Sequence, residues 1–336
     1  MLQTTIYYNH NEIKEKGDKT DINNGFNLWM DVVDPSSSEI SNLQKEFGLD
    51  VETIKIVERE AKRPQVRLHE NYSFAILLDI KYSTLEKLTV NGIYLFSGKD
   101  WLITIHSSDV DLLTPIRMLL NHKNRKLVES TINALYYSMI TEIITKYEQL
   151  LTSLELTITD FDQKAFNSND SKKMLYYLDI VTRQIIIIRR HFWYTRDVMN
   201  FLIHMEKDSD EIKYLQMAYD NINQLIELVD SYRDRINSSR ELFMTKIELQ
   251  THDSIRLLTI VNTILLPLTV ITGIYGIVGI NTPKLNNLPQ GFFIVVAVMI
   301  IIILGTLLFF KKKGWIFNSN NDINDKSKKE ISKDYK

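Results

Sequence analysis

The sequence contains no cysteine, which excludes disulfides, thiolate zinc sites and thiol nucleophiles. The formal net charge is −2, so the composition indicates neither a basic nucleic-acid-binding protein nor a dominant acidic tail. We also find no phosphate loop, no nucleophile elbow and no HExxH pattern. ATP-driven transport therefore finds no support, and we expect that the protein is not an enzyme.

Charged residues are missing from two long segments near the C-terminus, 257–283 and 285–310, which Lys284 separates. About 20 apolar residues span a bilayer, so each segment is long enough to cross it. Arg256 precedes the first segment and three lysines, Lys311, Lys312 and Lys313, follow the second. By the positive-inside rule this predicts a multi-pass cell-membrane protein with both termini in the cytoplasm. A buried hairpin of a soluble protein is the alternative.

The remaining chain changes from strand-like to helical patterns. The segments "GFNLWMDVVDP" and "YSFAILLDIKYS" have strand composition, and residues 97–100 form the turn of a predicted hairpin. We predict a cytoplasmic α/β domain over 1–120, a helical hairpin over 121–208, a stalk helix running into the first membrane helix over 209–280, an extracytoplasmic loop over 281–290, a second membrane helix over 291–311 and a basic cytoplasmic tail over 312–336.

Apolar residues form a stripe along the predicted stalk helix at near-heptad spacing. Such spacing is typical of helices that associate with other helices. We interpret the stripe as a self-association surface, with packing on the chain's own domain as the alternative. Its residues are Leu215, Ile222, Leu225, Val229, Tyr232 and Ile236.

The first apolar segment carries polar and small residues on one line at steps of three and four. A polar group in a membrane helix is costly unless it faces a partner or water. The line therefore indicates a pore lining, or else a packing seam against a neighbouring helix. One such helix cannot enclose a channel, so a pore needs several copies. The line comprises Ile255, Leu258, Asn262, Leu266, Thr269, Gly273 and Gly276.

The chain resembles the CorA-type metal ion transporters over nearly all of its length. The matching segments, in order, are "WMDVVDP", "EFGLD", "KRPQVRLHENYSFAILL", "FSGKDWLITIH", "LLTIVNTILLPLTVITGIYG" and "FFKKKGW". The resemblance implies an α+β cytoplasmic domain built as an α/β/α sandwich, then a stalk helix and a two-helix transmembrane hairpin, assembled as a homopentameric funnel. It implies transport of divalent cations, with Mg²⁺ as substrate and possible regulator, and Zn²⁺ or Co²⁺ as other ions.

The resemblance also implies a set of pore-lining residues, which we call the pore line. Leu258 and Leu266, with Ile255, match the family's hydrophobic gate. The complete pore line is Ile255, Leu258, Thr259, Asn262, Leu266, Thr269, Gly273 and Gly276.

The family's Tyr-Gly-Met-Asn signature is altered in this chain. Tyr275-Gly276 is followed by Ile277-Val278, and a Gly279-Ile280-Asn281 triplet comes three residues later. Either Val278 replaces the filter asparagine, or the triplet has moved outward and Asn281 contacts the ion; we favour the second. A Gly-Ile-Asn triplet also resembles the zinc-transporting branch typified by ZntB.

Other departures concern charged residues near the expected ion path. The outer loop carries Lys284 and no acid, and a ring of lysines repels cations. In the stalk, Asp220 is the remaining candidate for the family's regulatory magnesium site. His252 and Asp253, at the inner end of the pore helix, are further candidates for contacting a metal ion.

Three functions follow from these observations. Magnesium uptake through a pentameric channel-like pore is the leading one, zinc transport is the alternative ion, and a non-conducting membrane-anchored scaffold or sensor is the third. Arg189, Arg190 and Arg196 are interpreted as surface or domain-contact charges rather than as a ligand site.

Overall fold

The protein was analysed as a computed structural model that divides into two compact units, Met1–Phe243 and Met244–Lys336. The structure describes residues 2–9, 13–15, 21–22, 24–84, 87–111, 114–116, 118, 131–167, 171–278 and 291–315.

The first unit is organised around a seven-stranded mixed sheet in the order β2-β1-β3-β7-β6-β5-β4. Strands β3 and β7 run parallel, whereas the other neighbours are antiparallel. The turn predicted at residues 97–100 joins β6 to β7, since Ser97 pairs with Leu102. The strands are β1 (Leu2–Tyr8), β2 (Ile13–Lys14), β3 (Asn27–Val33), β4 (Gln65–Leu68), β5 (Tyr72–Thr84), β6 (Lys87–Gly98) and β7 (Trp101–His106).

Two short helices, α1 (Ser37–Phe47) and α2 (Val51–Glu58), cover one face of the sheet. Ser36 and Glu39 form a capping box at the start of α1, and Gly48 ends it in the left-handed conformation at φ 65°. The helices pack on alternate strand residues because successive side chains of a strand point to opposite faces. The buried residues of this layer include Leu28, Met30, Val32, Ile40, Leu43, Ile54, Val57, Phe74 and Phe96.

Two long helices, α3 (Ile132–Asn167) and α4 (Ser171–Met205), also pack against strands of the sheet. Helix α3 contacts β5, β6 and β7, and the buried Tyr147 hydroxyl donates a hydrogen bond of 2.7 Å to the carbonyl of Leu78. This confirms the α/β/α sandwich expected from the sequence. Residues 168–170, between the two helices in the sequence, lie outside the described residues.

A single helix, α5, extends from Ser209 to Val278 without a break, as the proline-free stretch before Pro267 predicts. Asp208 caps its start, accepting the backbone N–H of Asp210 at 2.8 Å.

The interpretation of the α5 stripe as a self-association surface is wrong. All six stripe residues are buried within one chain, because α5 packs on the chain's own helices. Tyr232 donates to Glu155 of α3 at 3.0 Å, and Arg189 of α4 pairs with Asp230. The stripe therefore belongs to the intramolecular core, and it gives no reason for oligomerisation.

Helix α6 extends from Gly291 to Lys312 and ends in a tight cap. Gly314 has φ 71°, and the N–H of Trp315 donates back to the carbonyl of Phe310 at 2.9 Å. This turn stacks the Trp315 ring on Phe310, with 5.4 Å between centroids. The predicted loop 281–290 lies outside the described residues, as does the tail from residue 316.

A buried polar cluster joins the parallel strands β3 and β7. His106 Nε2 lies 3.1 Å from Asp31 Oδ1, Thr104 donates to the same carboxylate, and Trp29 Nε1 donates to Thr104 at 3.3 Å. Because the groups satisfy one another, their burial carries little of the penalty of unpaired polar atoms.

Candidate functional site

The predicted pore line lies on an exposed face of α5 within the second unit. At 3.6 residues per turn its eight residues fall on one side of the helix, and all of them are exposed in the single chain. The side chains of the proposed gate are exposed, with Leu266 65%, Leu258 59% and Ile255 55% accessible.

The opposite face of the same helical segment is half-buried. These residues also recur at steps of three and four, and they lie about half a turn from the pore line. One side of the helix is therefore partly covered within the chain, and the side that carries the pore line is exposed. The half-buried residues are Ile260, Ile264, Pro267, Leu268 and Ile271.

The polar groups of the pore line are arranged as hydrogen-bond acceptors. The Thr259 hydroxyl donates to the carbonyl of Ile255 at 2.8 Å, and the Thr269 hydroxyl donates to that of Leu266 at 2.8 Å. Each hydroxyl hydrogen is thus engaged by the backbone, and the oxygen lone pairs remain able to accept hydrogen bonds. Such oxygens suit the water shell of a hydrated cation.

The glycines of the pore line leave open space beside the helix. A Cβ added at Gly273 or Gly276 would meet no atom within 4 Å. The chain itself therefore does not use this bare backbone for close helix packing. A neighbouring helix or a solvated ion has access to it.

The residues proposed to contact a metal ion form no metal-binding group in the described part of the chain. Asp220, His252 and Asp253 are exposed, and Asp253 pairs with Arg256 at 3.5 Å. Among the described residues no group of three or more acidic or histidine side chains is placed to hold a metal ion. Gly279, Ile280 and Asn281 lie outside the described residues.

A contact between α5 and the end of α6 was not predicted from the sequence. The Arg256 guanidinium lies 5.6 Å from the centroid of the Trp315 ring, and Lys313 Nζ lies 5.5 Å from the same centroid. The sequence signal was present, since Gly314 between the lysines and the tryptophan favours a C-cap that folds the next residue back.

Two described helical segments are long and apolar enough to cross a membrane, one within Ser209–Ile274 and one at Phe293–Lys312. No residue in the most apolar window of α5 is buried, unlike in the core helix of a soluble protein.

Comparisons with known proteins cover most of the chain. The model of the family described as CorA-like Mg²⁺ transporter protein matches residues 24–312. The cobalt/magnesium transport protein CorA of Methanocaldococcus jannaschii is 26% identical over 294 residues, covering 86% of this chain and 91% of that protein.

Solved structures agree with the fold. The complete structure of the CorA magnesium transporter from Methanocaldococcus jannaschii covers 94% of this chain and 99% of that one, with a TM-score of 0.82 and 23% identity. The ZntB cytoplasmic domain from Vibrio parahaemolyticus matches less closely, with a TM-score of 0.59 and 14% identity over 74% of this chain and 99% of that one. The chain belongs to the CorA-like Mg²⁺ transporter protein family, and it is a membrane protein.

Proposed function

We propose that this protein carries divalent cations, with Mg²⁺ as the main substrate, across the cell membrane through a pore built from several copies of α5. The observation that carries the proposal is the two-sided character of this helix. Its covered side packs within the chain, and its open side presents the pore line. The family membership and the relative named as a cobalt/magnesium transporter support the same substrate class.

The chemistry of the pore line favours a hydrated ion. No carboxylate lies between residues 257 and 310, so a bare divalent ion would lack charge compensation there. Mg²⁺ gives up its water reluctantly, and its water ligands donate hydrogen bonds to acceptors such as Asn262, Thr259 and Thr269. Asn281, within the triplet Gly279-Ile280-Asn281, is the proposed first contact at the outer mouth.

The gate is proposed to be hydrophobic. Leu266, Leu258 and Ile255 project from the open side of the helix, and rings of such side chains around an axis close a pore by excluding water. Conduction then requires the copies of α5 to move apart.

Assembly is proposed to be homopentameric, with both termini in the cytoplasm. One open helix face cannot enclose a pore, and the family resemblance supports five copies around one axis. The basic residues Arg256 and Lys311 to Lys313 support the orientation. Asp220, exposed on α5, together with His252 and Asp253 near the inner end of the pore, are the proposed sites for cations on the cytoplasmic side.

Flux into proteoliposomes tests the function. The purified oligomer is reconstituted, and uptake of Mg²⁺ and Zn²⁺ is followed with entrapped indicators in parallel vesicles. We expect Mg²⁺ uptake that exceeds Zn²⁺ uptake; the reverse order would favour the zinc alternative that the Gly-Ile-Asn triplet suggests. Intact oligomers that pass neither ion would leave only the non-conducting scaffold.

The position of the filter is tested in the same assay. If Asn281 contacts the ion, Asn281→Ala lowers flux or selectivity, whereas Val278→Asn tests the family's usual position. Unchanged flux and selectivity in Asn281→Ala would rule out the outward-shifted triplet.

A further inference from the structure

An open cavity of about 460 Å³ lies between α4 and α5 in the first unit. Its size falls in the range of small-molecule sites, roughly 300–1,000 Å³. Three arginines and two aromatic residues dominate its lining. The lining residues are Ile186, Arg189, Arg190, Trp193, Tyr194 and Arg233.

Arginine is concentrated at this cavity. The chain has 13 arginines and 27 lysines, yet every cation in the lining is an arginine. Arg196 and Arg63 add two more guanidinium groups at the same aromatic residues. Arginine differs from lysine in presenting a planar fork of donors that matches phosphate and carboxylate geometry.

Two of these arginines have no acidic partner among the described residues. Arg189 donates to Asp230 at 3.2 Å, and Arg196 donates to Asp197 at 3.0 Å. Arg190 and Arg233 are exposed, and neither lies within 4.0 Å of a described carboxylate oxygen. They come from different helices and converge on one cavity, which leaves two positive charges for a ligand.

The charge of Arg190 affects the pKa of the neighbouring His191. The pKa of the His191 imidazole is lowered, first by burial and then by the Arg190 charge. A nearby cation has this effect on a titratable base, because it disfavours the protonated form.

Aromatic contacts hold the surrounding guanidinium groups in place. Arg189 and Arg196 lie 5.0 and 4.7 Å from the centroid of the Trp193 ring, and Arg63 lies 4.6 Å from that of Tyr194. Stacking of this kind orders these three guanidinium groups, which lie at the aromatic residues of the cavity.

We propose that this cavity binds a polyphosphate anion, through Arg190 and Arg233 as the main contacts. Two guanidinium groups on separate helices, neither paired with a described carboxylate, favour a multiply charged oxyanion over a singly charged one. The cavity is also large for a single inorganic phosphate. Because Arg190 belongs to α4 and Arg233 to α5, a bound polyphosphate bridges the stalk helix and its neighbour.

Calorimetric titration of the full chain in detergent tests the site. Sodium tripolyphosphate is added in metal-free buffer at fixed ionic strength, and citrate is titrated as a carboxylate of comparable charge. We expect one tripolyphosphate per chain, with citrate binding more weakly. The double variant Arg190→Ala/Arg233→Ala is expected to bind tripolyphosphate at least about tenfold more weakly, since it loses two charge-assisted contacts.

The matched control is Arg183→Ala/Arg240→Ala. It removes the same charge from the same two helices, at exposed positions outside the cavity lining, and it is expected to bind as the unmodified protein does. Equal weakening in both double variants would overturn the proposal, as would citrate binding as tightly as tripolyphosphate.

Two further titrations distinguish the source of the phosphate. ATP binding that depends on Arg190 and Arg233 assigns the site to a free nucleotide. Binding only to vesicles that contain phosphatidylinositol bisphosphate, with the same dependence, assigns it to a lipid headgroup. No binding of any phosphate probe overturns the proposal. So does a changed oligomer size in the Arg190→Ala/Arg233→Ala variant with unchanged phosphate binding, since the arginines would then pair with a neighbouring copy.

Discussion

The Arg256 guanidinium lies 5.6 Å from the centroid of the Trp315 ring, so the start of the charge-free part of α5 contacts the residue that follows the cap of α6. Trp315 stacks on Phe310, and Arg256 also pairs with Asp253. We call this contact the latch. It ties the proposed pore helix to the second apolar helix at the end that carries the basic residues.

A double-mutant cycle measures the latch. We expect Arg256→Ala and Trp315→Ala each to lower the melting temperature in detergent, with a coupling energy of about 0.5–1 kcal/mol for a partly exposed cation–π contact. Arg256→Lys keeps a cation over the ring and serves as the conservative control. Strictly additive effects would mean that the two residues stabilise the protein independently.

Two leucines on opposite sides of α5 allow the proposed gate to be tested separately from ordinary helix packing. Leu266 is exposed on the pore line and Leu268 lies on the half-buried face. We expect Leu266→Ser to raise Mg²⁺ flux into proteoliposomes about tenfold or more, which needs a barrier only about 1.4 kcal/mol lower. Leu268→Ser makes the same chemical change and is expected to affect stability instead. A flux increase in Leu268→Ser alone would reverse the assignment of faces.

Several helices and strands were predictable from the sequence because their residue patterns are periodic. The strands of "GFNLWMDVVDP" and "YSFAILLDIKYS" and the unbroken helix to Val278 follow from composition and spacing alone. The partner of a helix face does not follow in the same way. The stripe around Ile222 and Val229 has the spacing of an association surface, but that spacing does not tell whether a second chain or the same chain covers it.

The candidate site was predictable only in part. The pore line follows from helical spacing and from the family resemblance, and its open position on α5 is a property that needs the fold. The arginine cavity was missed, since Arg190 and Arg233 are far apart in the sequence and no local pattern connects them. Arg189 agrees with the interpretation as a domain-contact charge, through its pairing with Asp230.

Two buried histidines are expected to give the stability opposite dependences on pH. Burial lowers the pKa of His106, but the hydrogen bond and charge of Asp31, the Ser107 carbonyl and the Asp34 charge outweigh it, so the pKa is raised. Its stabilisation is present below the unfolded pKa of about 6.5 and is lost as pH rises through the folded value. The pKa of His191 is lowered, so this residue destabilises the fold as pH falls.

Melting temperatures of the full chain between pH 5.5 and 8.5 check both signs. As pH falls from 8.5 to 5.5, we expect the melting temperature of His106→Gln to decrease more than that of the unmodified protein. We expect the melting temperature of His191→Gln to decrease less. His204→Gln, at an exposed histidine on α4, is the control for the chemical change itself. Equal slopes in the His106 and His191 variants would refute the assignment.

Two neighbouring carboxyl groups, Glu206 just before α5 and Glu211 in its first turn, have pKa values shifted in opposite directions. Burial raises the pKa of Glu211, and the charge of Glu206 raises it further. Burial also acts to raise the pKa of Glu206, but hydrogen bonds from Tyr137, from two backbone N–H groups and from Glu211 lower it overall. Glu211 therefore stays protonated to higher pH and donates to an ionised Glu206.

Glutamine substitutions separate the two roles. Glu211→Gln mimics the protonated carboxyl, so we expect an unchanged melting temperature below the unfolded pKa of about 4.3. As pH rises from there through the raised folded pKa of Glu211, the variant should melt at a higher temperature than the unmodified protein. Glu206→Gln removes the charged acceptor and is expected to cost about 1.5–3 kcal/mol at neutral pH. Glu227→Gln, at an exposed position of α5, controls for the loss of one negative charge. If Glu211→Gln proves as destabilising as Glu206→Gln, Glu211 is not the carboxyl group that stays protonated to higher pH.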